Sequence, residues 1–306
     1  MTIPFNQRVA LVAGILLSLF LSIFASVSYF KTKVYVEQEM QAKQMSIMKA
    51  MRNDINGWMH PAMHLITNLS QELGKKQRFE NNEIVPLLAH AKKAIGSVQV
   101  YFGLEDGRMM YDTGKELDRN WYNPRERPWY TQGIKANATT LSAPFVGFAS
   151  NQLTLTIMSP VLVDGEKKGV VAASFYINKL YRKVKSIKPE QGYAYVVDQN
   201  GTIVLHPDKT MLGMNLQDQN PALKTFFESM RSNKEGIFEY RFGENDELLS
   251  FGKLYNGWYM VVSLKKTVAT AFSDSMLRFF TVMGILMVAL TIIVLLKMTE
   301  KSVEEH

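Results

Sequence analysis

The sequence predicts an α+β protein in which two antiparallel-sheet modules lie along a long N-terminal helix, with a transmembrane helix flanking them at each end. Three observations carry that expectation. Uncharged apolar runs occupy residues 9–30 and 279–296. After the first run, apolar residues recur at steps of three or four, the period of a helix buried on one face. Further on the period falls to two, and alternating stretches are joined by Asp-Gly or Asn-Gly pairs, the strongest short-range hairpin signal.

Composition narrows the function classes. The chain has 306 residues, of which 47% are hydrophobic, enough for substantial cores. Its net charge of +7 comes from scattered Lys and Arg, and beside two apolar runs this argues against a nucleic-acid partner. The absence of cysteine excludes disulfides, thiolate metal sites and cysteine nucleophiles. There is no Gly-x-Ser-x-Gly elbow, phosphate-cradling glycine loop or metal motif, so neither an enzyme nor a cofactor is expected.

Residues 9–30 are long enough, at about 1.5 Å per residue, to cross a hydrocarbon layer of about 30 Å. Ala25, Ser26 and Ser28 could imitate a cleavage site, but the run exceeds a usual signal-peptide core, and an uncleaved anchor is expected. With the second run it forms a two-pass hairpin, leaving residues 1–8 and the tail 297–306 on the same side. Arg8, Lys297 and Lys301 are balanced by Lys31, Lys33, Lys265 and Lys266, so charge does not choose that side. The large middle is placed outside the cytoplasm because two spans around one big segment suit a receptor. The tail is too short to fold, so no output domain is expected after the second span.

Residues 31–79 read as a stalk helix with Met48, Met51, Ile55, Met59, Met63, Ile66, Leu69 and Leu73 on one face, suited to a homodimer; Pro61 should kink or break it. Met45, Met48 and Met51 resemble a thioether ladder for Cu(I), but a core face explains them more simply. His60 and His64 are one turn apart, yet Pro61 disturbs that turn and no third ligand completes a zinc motif. A helix follows at 84–95, with Leu87, Leu88 and Ala91 on one face. Strands are expected at 97–104 and 108–112 around Asp106-Gly107, and at 153–163 and 169–177 around Asp164-Gly165. Residues 178–188 read as an amphipathic helix whose Lys179, Arg182, Lys183, Lys185 and Lys188 form a solvated face or meet lipid headgroups. The pattern then repeats: strands at 193–198 and 202–206 around Asn200-Gly201, a helix at 221–232, and strands at 236–242, 247–254 and 258–263. The modules are thus 80–188 and 189–264, each a sheet with helices on one side, followed by a juxtamembrane helix at 265–278.

Between the two hairpins of the first module lies the stretch from Tyr122 to Tyr130, Tyr-Asn-Pro-Arg-Glu-Arg-Pro-Trp-Tyr. A guanidinium is a planar fork of donors that matches a carboxylate, and aromatic neighbours exclude water from it. The stretch is either half of an anion pocket or a surface loop whose Trp plugs the core while its arginines pair with acids such as Asp112, Asp118 or Glu126.

The order of span, helix, two sheet modules and span, with Pro124 to Tyr130, Ser142-Ala143-Pro144-Phe145, Gly169-Val170-Val171 and His206-Pro207 in place, resembles the double Cache (dCache) sensor domains of bacterial chemoreceptors, sensor kinases and diguanylate cyclases. The resemblance implies PAS-like modules, with the ligand in the membrane-distal one, residues 80–188. In members that bind amino acids the loop's arginine, tryptophan and tyrosine hold the carboxylate; these match Arg127, Trp129 and Tyr130, with Tyr122 beside them. Phe145 and Gly147 stand where such members carry a tyrosine and an aspartate that hold the ammonium, and Ser174 replaces a second aspartate. An ammonium left unpaired in a pocket costs on the order of several kcal/mol. The implied ligand-binding set is therefore Arg127, Trp129, Tyr130, Tyr122, Phe145 and Ser174, for a small carboxylate without an α-ammonium; another small ligand, or none, stays open. The resemblance further implies a bacterial inner-membrane protein with its large domain in the periplasm, signalling to a kinase, cyclase or chemoreceptor. The alternatives are a ligand-free interaction or scaffold subunit, or a fragment of a longer chemoreceptor.

Overall fold

The structure is a computed structural model and describes residues 5–115, 122–148, 151–177, 181–182, 192–242 and 245–304. It divides into two compact units, one of residues 1–44, 241–247 and 265–306, the other of residues 45–240 and 248–264. In the first, the apolar beginning of helix α1 (Phe5–Gly74) and helix α6 (Thr267–Glu304) supply two candidate membrane spans by length and composition. Phe20, Phe24 and Ile285 are exposed, as side chains facing lipid would be. A Cβ added at Gly14 would lie 2.8 Å from Thr291, so the glycine lets the two helices approach closely.

Of the two expectations at Pro61, the break is corrected: α1 continues through it as one helix. A proline ring presses on the carbonyl four residues earlier. Here that residue is Gly57, which has no side chain and open space where its Cβ would be, so the backbone can yield locally. His60 and His64 consequently keep their one-turn spacing, with ring centroids 4.4 Å apart, and His60 packs edge-on to Tyr255 at 4.1 Å. Among the described residues no group of three or more potential ligands gathers as a metal site. Met48 and Met51 are buried in the core and Met45 packs against it.

The larger unit carries two antiparallel sheets. In the first, β1 (Gln99–Leu104), β2 (Met109–Tyr111), β3 (Thr140–Leu141), β5 (Leu153–Val163) and β6 (Glu166–Tyr176) run in the order β2-β1-β6-β5-β3, with β4 (Phe145–Val146) also paired to β5. In the second, the order is β8-β7-β11-β10-β9, from β7 (Gly192–Val197), β8 (Ile203–Leu205), β9 (Glu235–Phe242), β10 (Asn245–Lys253) and β11 (Tyr259–Lys265). The Asp-Gly turns form as expected: Gly107 and Gly165 have φ of 87° and 83°, values that a glycine adopts without steric penalty. α2 (Asn81–Ile95) buries Ile84, Leu88 and Ala91.

Strand alternation sends residues to two cores rather than one, which corrects the expectation of helices on a single side. Val100, Phe102, Leu155, Ile157, Val171 and Ala173 join the methionine face of α1, as do Val196, Met260 and Val262 of the second sheet. On the opposite face of the second sheet, Val197, Phe251 and Val261 meet Phe226, Phe227 and Met230 of α5 (Pro221–Ser232). On the opposite face of the first, Tyr101, Met158 and Val170 meet Trp129 and Tyr130 of α3 (Pro128–Lys135). The seam between α1 and the first sheet is partly polar: Thr67 and Thr139 hydroxyls lie 2.6 Å apart, and Ser159 donates to Ser70 at 3.0 Å. The short α4 (Leu216–Gln219) precedes α5. Of the expected basic helix at 178–188, only residues 181–182 are described, and they are helical; the rest lies outside the described residues.

Candidate functional site

Two prolines shape the loop that holds the guanidiniums. Pro124 opens a 3-10 turn (Pro124–Glu126), capped by Asn123, whose Oδ1 accepts from the Arg125 amide at 3.2 Å. Pro128 opens α3, its fixed φ already suited to a first helical position. Arg127 sits between them in extended backbone, with φ −90° and ψ 142°. The two arginines part company here. Arg125 lies against the surface, donating to Asn123 Oδ1 at 3.2 Å and to the Glu105 carbonyl at 3.4 Å.

Arg127 lines a cavity of about 710 Å³ on the α3 face of the first sheet. Its guanidinium carbon lies 4.6 Å from the Tyr122 ring centre and 4.2 Å from that of Phe148, both within cation–π range. Its Nε is buried without a hydrogen-bond partner, which for a charged donor is a standing penalty. Among the described residues no Asp or Glu pairs with it and none lines the cavity. Asp112 is 2.5 Å from Lys92, Glu126 accepts from Asn123 at 2.8 Å, and Asp118 lies outside the described residues. Lys115 also lines the cavity, so among the described lining residues the ionisable side chains other than tyrosines are basic.

The walls are aromatic. The Trp129 indole donates to the Tyr122 hydroxyl at 3.3 Å and packs edge-on to Tyr101, 4.8 Å between centroids. Burial pushes the phenols of Tyr101, Tyr111 and Tyr122 above the ordinary tyrosine range, so they stay neutral and supply no counter-charge for Arg127. At the sheet, Ser174 Oγ lies 2.7 Å from Tyr101 Oη and 3.0 Å from Thr156 Oγ1.

Of the residues singled out from the sequence, Tyr122, Arg127, Trp129, Phe145 and Ser174 all line this one cavity. Tyr130 does not. Adjacent helical residues point about 100° apart, so Trp129 faces the cavity while Tyr130 turns beneath it. A Cβ at Gly103 would come within 3.2 Å of the Tyr130 ring and 2.7 Å of Trp129, which places both over β1. Tyr101, Tyr111, Lys115, Phe148 and Tyr176 also line the cavity and were not singled out. A signal for two of them existed: Tyr101 and Tyr111 are cross-strand partners on the phase opposite Val100 and Phe102, and aromatics on both phases of a strand announce a second buried face.

Two antiparallel sheets along one helix, with a cavity on the far face of the first sheet, give the architecture of a Cache domain. The chain matches the Cache domain family dCache_1 over residues 30–271 and belongs to it. It is 26% identical over 305 residues to the methyl-accepting chemotaxis protein PctB of Pseudomonas aeruginosa, an alignment covering 97% of this chain and 46% of that protein. With the methyl-accepting chemotaxis protein PscA of Pseudomonas syringae pv. tomato the identity is 23% over 279 residues, 87% of this chain and 42% of the relative. The chain therefore spans less than half the length of these curated relatives. Among solved structures it is similar to the PctB ligand-binding domain in complex with L-Arg (TM-score 0.62, 26% identity, 76% of this chain and 98% of that one). The complex of that domain with L-Gln gives a TM-score of 0.63 at 27% identity, covering 75% and 93%.

Proposed function

We propose that this chain is the sensing part of a two-pass bacterial inner-membrane receptor whose periplasmic cavity binds a small carboxylate lacking an α-ammonium group. One observation carries the reading: the half-buried Arg127 lies against the Tyr122 and Phe148 rings, its buried Nε unpaired, in a cavity with no carboxylate among the described lining residues. A ligand carboxylate would bring both the missing charge and acceptors for the fork. An α-ammonium would find the neutral hydroxyl of Ser174 and, among the described lining residues, no acid to offset its desolvation. Tyr122 packs against the arginine, Trp129 holds Tyr122 through its indole N–H, and Phe145 supplies apolar wall.

The relationship to PctB, solved with amino acids bound, supports small-molecule sensing and makes the choice between amino acid and plain acid the point to test. On this reading the protein is not an enzyme; it is a homodimer in which ligand shifts α1 relative to α6 and a signalling partner reads the shift. The ligand must then bind one of the two states more tightly. The test is isothermal titration of the full chain in lipid nanodiscs with matched pairs, propionate against alanine and glutarate against glutamate. The plain acids should bind. Micromolar binding of the amino acids alone would sink the proposal.

A further inference from the structure

The three hydroxyls on the sheet side of the cavity are more than packing. Tyr101 comes from β1, Thr156 from β5 and Ser174 from β6; Thr156 and Ser174 are direct cross-strand partners, and all three point away from the α1 core. Each hydroxyl has one proton to donate and two lone pairs. The contacts at 2.7 Å and 3.0 Å use two of the three protons, while Tyr101 Oη and Thr156 Oγ1, at 3.5 Å, are too far apart for an ordinary O–H···O bond.

What is left over reaches the cavity, because Tyr101 and Ser174 line it and Thr156 does not. If the chain runs from Thr156 through Ser174 to Tyr101, the phenol offers its proton inward. If it runs the other way, the Tyr101 and Ser174 oxygens offer lone pairs. The group that suits both orientations is itself a hydroxyl, donor and acceptor at once. A methylene there would leave buried capacity unmet, and a cation would find no opposite charge among the described lining residues. Between this cluster and Arg127 runs an aromatic wall: Trp129 touches Tyr101 on one side and donates to Tyr122 on the other, with Tyr122 beneath the guanidinium. The body joining the two polar ends of a ligand would therefore meet apolar surface.

We infer that the ligand is a hydroxylated carboxylate, its carboxylate on Arg127 and its hydroxyl received by Tyr101 and Ser174. The inference rests on the carboxylate reading above and sharpens it. The test uses the full chain in nanodiscs and two pairs differing only in a hydroxyl, 4-hydroxybenzoate against benzoate and 3-hydroxybutyrate against butyrate. The hydroxylated member of at least one pair should bind roughly ten- to a hundredfold more tightly, the discrimination expected of a site built to hydrogen-bond that group. Ser174→Ala should narrow the ratio to roughly threefold or less, Ser174→Thr should restore part of it, and Tyr101→Phe, which keeps the ring packing, should narrow it independently. Equal binding of both members of each pair, abolished by Arg127→Ala, overturns the hydroxyl assignment and leaves the carboxylate reading standing. Failure of all four acids beside binding of α-amino acids overturns both, and failure of all four with no amino acid bound overturns the hydroxyl assignment.

Discussion

Replacing Arg127 by alanine removes the cation that lies over Tyr122 and Phe148. For unit charges about 4 Å apart at an effective dielectric near 20, the attraction is about 4 kcal/mol. Desolvation of the incoming carboxylate offsets part of this, and hydrogen bonds to charged groups contribute roughly 1.5–3 kcal/mol net. A loss of about 2–3 kcal/mol follows, equivalent to a roughly 30- to 150-fold rise in Kd. Arg127→Lys keeps the charge without the planar fork, and should fall between the two. Folding should change little, because two opposing effects nearly cancel: the unpaired Nε costs about 1–3 kcal/mol, and two cation–π contacts return about 0.5–2 kcal/mol each. Isothermal titration of the full chain in nanodiscs, with a melting curve beside it, reads both quantities. An alanine variant that binds plain acids as tightly as the native protein removes Arg127 from recognition and, with it, the case for an anion cavity.

Gly103→Ala would bring a Cβ within 2.7 Å of Trp129 and 3.0 Å of Pro124, so this overpacking should destabilise by about 1–3 kcal/mol, visible as a lower Tm, and weaken ligand binding by displacing the indole. Pro61→Ala restores an amide donor for the Gly57 carbonyl and should stabilise α1 by about 1–3 kcal/mol; a fall in Tm would show that the ring's packing outweighs the lost hydrogen bond. His206 is buried beside Tyr193 and Tyr195, and burial lowers its pKa below the ordinary imidazole value. The unfolded chain therefore takes up this proton first: the contribution is complete above about pH 6.5 and is lost as pH falls through the depressed folded value. Melting curves between pH 7.5 and 5, taken with about half-unit steps, should slope less for His206→Asn than for the native protein.

Much of this fold is written in short-range chemistry. Asp106-Gly107, Asp164-Gly165 and Asn200-Gly201 each mark a real hairpin, and Pro221 to Ser232 is a helix residue for residue, opened by a proline and capped by Asn220. The elements that were not legible depend on distant partners. β3 and β4 are two residues each and exist only because β5 lies beside them; α3 has only eight residues, about two turns, and its Trp129 finds its place on β1. A break at Pro61 does not occur for the converse reason, since the relief comes from a glycine one turn earlier. In the site, arginine and tryptophan were conspicuous by type, whereas Tyr101 and Tyr111 looked like ordinary strand aromatics until the far face of the sheet proved covered. Tyr130 shows the limit of reading neighbours as partners: one residue along a helix turns a ring out of the cavity.

The face that α1 presents to both sheets is rich in methionine, with Met48, Met51, Met59 and Met63 buried along it. Leucine or isoleucine would lock such a contact into one register, because branched side chains fit their sockets in few rotamers. Thioethers are unbranched and polarisable, and re-form their contacts after a small translation without leaving a void. A rod lubricated in this way can move along its axis while remaining dry, which is the mechanical property that the proposed helix shift would require of its bearing.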